Sequence, residues 1–209
     1  AGRFDARSGH RTVLIFGSTG KHYAQIVNGA PFDVFLAADR ERPQRLEQDS
    51  HAVAGTRFTY ALGRLALWSA DPERVDGAGR VLLDGDFRRL AIANPALAPY
   101  GRAAREALTA LGAWHRVESR LVTAENVAQA YHFAASGGAE LGLVAWPLLR
   151  AGGAAPPGSW WRVPAELHAP IEQQAVLLRD ETAGREFLAF LRDPEALAIL
   201  RAQGYGVPD

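Results

Sequence analysis

Between the apolar run Thr-Val-Leu-Ile (12–15) and the segment from Tyr23 to Pro31, the chain reads Phe16-Gly17-Ser18-Thr19-Gly20-Lys21-His22. Glycine, small hydroxyls and a lysine between a strand-like run and a helix-like run are the residue types that hold an anion on backbone N–H groups and hydroxyls. A nucleotide-binding P-loop, G-x-x-x-x-G-K-[ST], is not matched. Counted from Gly20-Lys21, Ile15 stands where glycine is required and His22 where the magnesium-binding hydroxyl is required. A G-x-S-x-G nucleophile elbow fails as well, because Phe16 lies two residues before Ser18. Two readings remain for the segment. Ser18 or Thr19 is an ordinary N-cap, or the helix start holds an anion with its free amides and dipole.

Two further segments have the same character. Pro99, Tyr100 and Gly101 stand at the start of one helical pattern, and Thr123 precedes another as its expected cap, with the amides of Asn126 and Val127 in the first turn. Helix starts at the carboxyl ends of parallel strands occupy the edge where open α/β sheets bind ligands.

Other chemistry is poorly supported. The six histidines, at 10, 22, 51, 115, 132 and 168, form no H-E-x-x-H or H-x-H pattern, so they read as surface or packing residues rather than metal ligands. Glu125 is expected in the first turn of a helix and Glu166 near a proline, as dipole and surface residues. No nucleophile, base and orienting acid can be assembled, so no catalytic residue, bare-metal site or cofactor is assigned and an enzyme is the weaker class.

The elements that must position these residues follow from periodicity. Arg11–Gly17 reads as a buried strand, 21–28 as a helix closed by Gly29, Asp33–Ala38 as a strand and 39–49 as helical, together a βαβ unit with a parallel sheet. Phe58–Ala70 is long for one strand and contains Gly63, which suits a strand that leaves one sheet and enters another. A second α/β series follows, with strands at RLAIAN, SRLVTA and ELGLVAW and helices at GRAAREALTALGAW and ENVAQAYHFAASGG. Ala151–Trp161 reads as a glycine- and proline-rich loop with two packing tryptophans, Glu172–Asp180 as a returning strand, and the remainder as two amphipathic helices. The expected fold is therefore two α/β lobes with mixed, mostly parallel sheets joined by crossing strands. Residues 1–63 and 174–209 form the first lobe and 64–173 the second, with a cleft and hinge between them.

Composition narrows the partners. With 209 residues the chain can bury a substantial core, and 23 basic residues against 23 acidic ones remove the excess charge expected of a nucleic-acid binder. Lys21 is the sole lysine; arginine supplies the rest of the positive charge. The absence of cysteine excludes disulfides and thiolate chemistry and fits an oxidising compartment. No signal peptide and no apolar run long enough to span a bilayer is present in the sequence. The opening AGRFDARSG reads as the last two turns of a helix ending at Gly9, and there is no methionine, so residues are expected to precede Ala1.

The stretch FGSTGKHYAQIVNGAPFDVFLAAD (16–39) resembles the segment F/Y-G-S-S-G-K…I…G-A-P-F-D-V-F-L-S-A-D of bacterial periplasmic molybdate-binding proteins. IANPALAPYGRAAREALTALGAW, TAENVAQAY, ELGLVA and EFLAFLRDPEALAILRAQGYG are similar to that family in the same order, so the likeness covers nearly all of Arg11–Gly206.

The resemblance implies a type II periplasmic solute-binding protein, expected to be monomeric, that delivers molybdate or tungstate to the permease of an inner-membrane ABC importer. It implies an oxyanion held between the lobes by Ser18, Thr19, Tyr100 and Val127, molybdenum being bound only as that oxyanion. Thr19 stands at the second hydroxyl of the G-S-S-G motif, Tyr100 at the Pro-Tyr-Gly position and Val127 at the helix-start amide. Where some members carry a ligand tyrosine, this chain has Ala145. Family members also open with a strand ending in A-A-[ST]-[LN], which this sequence does not contain; that strand, a loop and most of a helix are expected to lie ahead of Ala1. Alternatives kept open are binding of sulfate or phosphate, the ligand-sensing domain of a transcription regulator, and an enzyme acting on a phosphorylated metabolite.

Overall fold

Two β-sheets, each with its own helices, organise the computed structural model, which describes residues 1–150 and 156–208. The helices are α1 (Gly2–Ser8), α2 (Thr19–Val27), α3 (Glu41–Gln48), α4 (Val81–Asp84), α5 (Pro99–Ala110), α6 (Trp114–Val117), α7 (Val127–Ala135), α8 (Trp146–Leu149), α9 (Thr182–Arg192) and α10 (Pro194–Ala202). The strands are β1 (Val34–Ala37), β2 (Phe58–Gly63), β3 (Leu65–Ser69), β4 (Leu90–Ala93), β5 (Leu121–Ala124), β6 (Leu141–Ala145), β7 (Ser159–Arg162) and β8 (Ile171–Leu177). One sheet has the order β1-β8-β2 and the other β5-β4-β6-β3-β7.

The long run Phe58–Ala70 divides as expected. β2 ends at Gly63, β3 begins at Leu65, and only Arg64 separates a strand of the first sheet from a strand of the second. The register of β2 on β8 shifts between Thr59 and Ala61, a bulge of the kind that bends a strand as it leaves its sheet. The C-terminal tail reinforces this crossing: Leu62 and Gly206 exchange both backbone hydrogen bonds, at 2.7 and 2.9 Å.

Burial explains why these apolar runs form strands. Every residue of β3, β4 and β6 is buried, and these strands read as continuous apolar runs because helices cover the sheet. Leu65, Leu67, Leu90, Ile92, Leu108 and Leu141 form the centre of the larger core, between the sheet and α5. The smaller sheet packs Phe35, Ala37 and Val176 against Ile26 of α2 and Leu46 of α3, and Leu177 against Leu188 of α9.

Three expectations are corrected. Arg11–Gly17 is not a strand. Val13, Leu14, Ile15 and Phe16 are exposed, Phe16 by 85%. A strand needs a neighbour to satisfy its N–H and C=O groups, and a groove of about 810 Å³ lies between this segment and β1, lined by Val13, Ile15, Phe32, Leu36 and Phe187. The parallel pairing expected of the first strand–helix–strand unit is therefore not formed, and β1 pairs antiparallel with β8. Among the described residues, parallel neighbours occur only in β5-β4-β6, so the sheets are mixed but not mostly parallel. Finally, Trp160 and Trp161 lie in strand β7 rather than in a loop, paired with Trp68 and Leu67. They do pack as expected, Trp161 against the larger core and Trp160 on Trp146 with ring centroids 4.8 Å apart. Residues 151–155 of the expected loop lie outside the described residues. The opening helix α1 ends at Gly9 in the left-handed conformation, as its sequence implies.

Candidate functional site

The start of α2 is built by Ser18 and Thr19, both buried. Ser18 is the N-cap, with extended backbone (φ −75°, ψ 149°) and an Oγ that accepts the Lys21 N–H at 3.4 Å. Thr19, the first helical residue, accepts the N–H of Ala38 on its Oγ1 at 3.1 Å, which ties the helix start to the end of β1. Because both hydroxyls are used here as acceptors, each keeps its own proton available for donation.

The start of α5 is fixed differently. Pro99 occupies the first turn with its preset φ and no N–H to satisfy. A Cβ on Gly101 would lie 2.2 Å from the carbonyl oxygen of Ala93, so glycine is required for α5 to approach β4 this closely. That approach buries Tyr100, whose hydroxyl has no hydrogen-bond partner among the described residues. The phenol reaches the strand crossing: a Cβ on Gly63 would sit 2.5 Å from Tyr100 Oη and 2.8 Å from Gln173 Nε2. Burial pushes the Tyr100 hydroxyl well above its ordinary pKa, with the nearby Tyr205 and Tyr60 adding to the effect. At neutral pH it is a protonated, buried donor.

The start of α7 corrects two expectations. Thr123 lies in β5, and the cap is Asn126, whose side chain accepts the Gln129 N–H at 3.0 Å. Gln129 Oε1 in turn accepts the Glu125 N–H at 2.6 Å, a reciprocal capping arrangement. Glu125 consequently precedes the helix rather than sitting in its first turn. Val127 is the first helical residue, so its N–H is among those an α-helix leaves without an internal partner.

These three helix starts come together. The Gly20 N–H of α2 donates to the carbonyl of Leu97, two residues before α5, at 2.9 Å. Lys21 Nζ donates to Glu125 Oε1, two residues before α7, at 2.9 Å. Ser18 and Thr19 thus sit on one side of a junction whose other side carries Tyr100 and Val127. Ala145 is buried at the end of β6 and carries no polar side chain.

The junction is electrostatically compensated. Glu125 partners Lys21, and Arg42 is paired with the buried Asp39 and lies 3.5 Å from the Ala96 carbonyl. The groups left at the three helix starts are amides, hydroxyls and one phenol, residue types suited to donating to an anion. Among the described residues no group of three or more His, Asp or Glu side chains could hold a metal cation, and no helix is long and apolar enough to cross a membrane. Asn126 followed three residues later by Gln129 is a capping signal legible in the sequence, and it marks the cap better than Thr123 does. The Leu97 carbonyl and the Glu125 contact carried no signal, because both depend on how the two sheets meet.

Comparisons with known proteins identify the family and the fold. A family profile described as bacterial extracellular solute-binding protein matches residues 1–206. The molybdate-binding protein ModA of Azotobacter vinelandii is 46% identical over 99% of this chain and 83% of its own length. The ModA of Rhodobacter capsulatus is 46% identical over 97% of this chain and 80% of its own length. Among solved structures, the periplasmic molybdate-binding protein of Azotobacter vinelandii superposes with a TM-score of 0.97 at 43% identity, covering all of this chain and 93% of that one. A sulfate-binding protein from Mycobacterium tuberculosis shares the fold alone, with a TM-score of 0.72 at 13% identity, over all of this chain and 81% of that one. With a profile match along nearly its whole length and relatives at this level of identity, the chain belongs to the bacterial extracellular solute-binding protein family.

Proposed function

We propose that this protein is the substrate-binding component of a molybdate importer: it captures molybdate or tungstate between two lobes and carries it to the permease of an ABC transporter in the inner membrane. The observation that carries this reading is the meeting of three helix starts at one junction, held by the Gly20–Leu97 and Lys21–Glu125 contacts. The relatives' names supply the oxyanion, and the Azotobacter structure is that of a periplasmic protein, which supports the same compartment for this chain. Residues 1–63 and 174–209 serve as one lobe and 64–173 as the other, hinged where the chain crosses at Arg64 and at β8. The protein binds without transforming its ligand, and it works as a monomer, since all the helix starts that build the site belong to one chain.

In this reading the hydroxyls of Ser18 and Thr19, the Tyr100 phenol and the Val127 amide donate to the oxyanion. A dianion that draws donors from both lobes favours the closed arrangement by as much as its affinity for the two arrangements differs. Each charge-assisted hydrogen bond contributes about 1.5–3 kcal/mol, so several of them, offset by desolvation and closure, suffice for sub-micromolar binding at about −8 kcal/mol or better. A smaller tetrahedral anion such as sulfate leaves some buried donors unpaired. Protonated phosphate brings a proton that needs an acceptor. Thr19 Oγ1 already accepts the Ala38 N–H, and the Glu125 carboxylate is held by Lys21.

Titration calorimetry of the purified protein against molybdate, tungstate, sulfate and phosphate tests the proposal. One-to-one binding of the first two, at least a hundredfold tighter than of the others, is expected. Preferential binding of sulfate or phosphate would replace the molybdate assignment, and silence towards all four would overturn the oxyanion reading.

A further inference from the structure

The rim of the junction carries more than the helix starts. Three side-chain links cross it: Lys21 to Glu125 at 2.9 Å, Arg102 to Glu41 at 3.6 Å, and Arg42 Nη2 to the Ala96 carbonyl at 3.5 Å. Residues 21, 41 and 42 belong to α2 and α3, against the three-stranded sheet, whereas 96, 102 and 125 belong to the segments around α5 and α7, against the five-stranded sheet. The two ion pairs run in opposite senses. Lysine comes from the first side and glutamate from the second in one, and the reverse holds in the other. Bringing the sides together therefore cancels charge pairwise without placing a net charge beside the donor set.

Lys21 is the notable member. It is the only lysine in the chain, it sits in the first turn of α2 beside the two hydroxyls, and a cation there would be expected to serve an anion directly. Instead its ammonium is held by a carboxylate from across the junction, and both side chains remain about half exposed at the rim. Glu125 is in turn fixed by its own backbone N–H on Gln129, so the carboxylate is presented from an ordered position.

We propose that the Lys21–Glu125 pair is a closure latch. It stabilises the closed arrangement of the two sides and sets how long an anion stays, without contacting the anion. The partners meet across the junction at 2.9 Å, on elements packed against different sheets, so separating the two sides breaks the pair and its attraction favours the arrangement in which they touch. Exposed pairs contribute modestly and are screened by salt, which suits a latch that must open at the transporter. The proposal rests on the anion-binding reading for its effect on residence time, but its effect on closure is separable from it.

The test uses the full chain, whose lack of cysteine allows two labels to be introduced. Spin labels at Gln48→Cys on α3 and Thr109→Cys on α5, both exposed positions, report the distance between the two sides. Without any anion, Lys21→Gln or Glu125→Gln should shift the distance distribution towards longer separations. The charge-swapped pair Lys21→Glu with Glu125→Lys, and the conservative Lys21→Arg, should restore it. With molybdate, each neutralising variant should release the anion about two- to fivefold faster. Raising the salt should speed release from the unsubstituted protein more than from the doubly neutralised one. Distance distributions identical to that of the unsubstituted protein in both neutral variants would overturn the latch, whether or not molybdate binds. Tighter molybdate binding by Glu125→Gln would also overturn it, since a freed Lys21 would then be serving the anion. Failure of the unsubstituted protein to bind any oxyanion, with distances that still respond to the substitutions, would remove the molybdate reading and leave the latch standing.

Discussion

Gly20 gives its backbone N–H to the carbonyl of Leu97 at 2.9 Å, and a Cβ on Gly20 would lie 2.8 Å from that oxygen and 3.2 Å from the Leu97 Cα. The obstacle is main chain on both counts, so no side-chain rotation relieves it. Glycine at this position is what lets α2 reach the turn before α5, and through that approach the three helix starts share one junction.

Gly20→Ala should therefore act on closure rather than on folding. Alanine is a good helix residue, and the helix interior alone would tolerate it. The crowding across the junction should cost about 1–3 kcal/mol of the closed arrangement. Molybdate affinity should fall about fivefold to a hundredfold while the thermal midpoint of the anion-free protein stays within a few degrees. An unchanged affinity would mean that the two sides need not approach this closely to bind.

Tyr100 sets binding against stability. Its buried hydroxyl has no partner among the described residues, and such a group costs a folded protein about 1–3 kcal/mol. Tyr100→Phe should leave the anion-free protein as stable or raise its melting temperature, and should weaken molybdate binding. If the hydroxyl serves only packing, calorimetry will find the affinity unaltered.

Much of this architecture was legible in the sequence, and the failures have physical causes. Leu-Ala-Ile-Ala at 90–93 and Leu-Gly-Leu-Val-Ala at 141–145 are apolar runs that become buried strands, Val-Phe-Leu-Ala at 34–37 becomes a strand with Phe35 and Ala37 buried, and Gly63 marked the crossing between sheets. Thr-Val-Leu-Ile at 12–15 has the same composition and is not a strand, because strand formation depends on a neighbour that no local pattern encodes. The position of Ser18 as a cap could be read from its own helix. That Leu97 and Glu125 face that helix could not be read, since more than seventy residues of chain separate them from Gly20 and Lys21. The antiparallel pairing of β1 with β8 was hidden for the same reason.

Thr19 separates a hydroxyl's two roles. Its Oγ1 accepts the Ala38 N–H at 3.1 Å, and its proton remains free for the anion. Thr19→Val keeps the shape and removes both functions. It should lower affinity by about 1.5–3 kcal/mol and also destabilise the anion-free protein by leaving the Ala38 amide unpaired. Thr19→Ser should restore both. A valine variant that loses stability but binds molybdate normally would confine Thr19 to the structural role.

The cluster of Tyr60, Tyr100 and Tyr205 at the strand crossing makes stability sensitive to alkali. Burial raises the pKa of all three above the ordinary value, most strongly for Tyr60 and Tyr100. In the unfolded chain each phenol ionises near pH 10, while in the folded chain it stays protonated. Above that pH the folded state holds more protons than the unfolded state, so the free energy of unfolding falls as pH rises. The contribution of these residues is fully present below about pH 10 and is lost progressively as pH climbs towards the folded-state values. Denaturant melts at pH 8, 10 and 11 should show a decline that is shallower in Tyr60→Phe and in Tyr100→Phe, and the part of the ultraviolet phenolate signal that each variant removes should appear only as the protein unfolds. Phenolate that appears near pH 10 with the fold intact and is lost in Tyr100→Phe would mean that water reaches the crossing, and the burial assigned to the Tyr100 hydroxyl would be wrong.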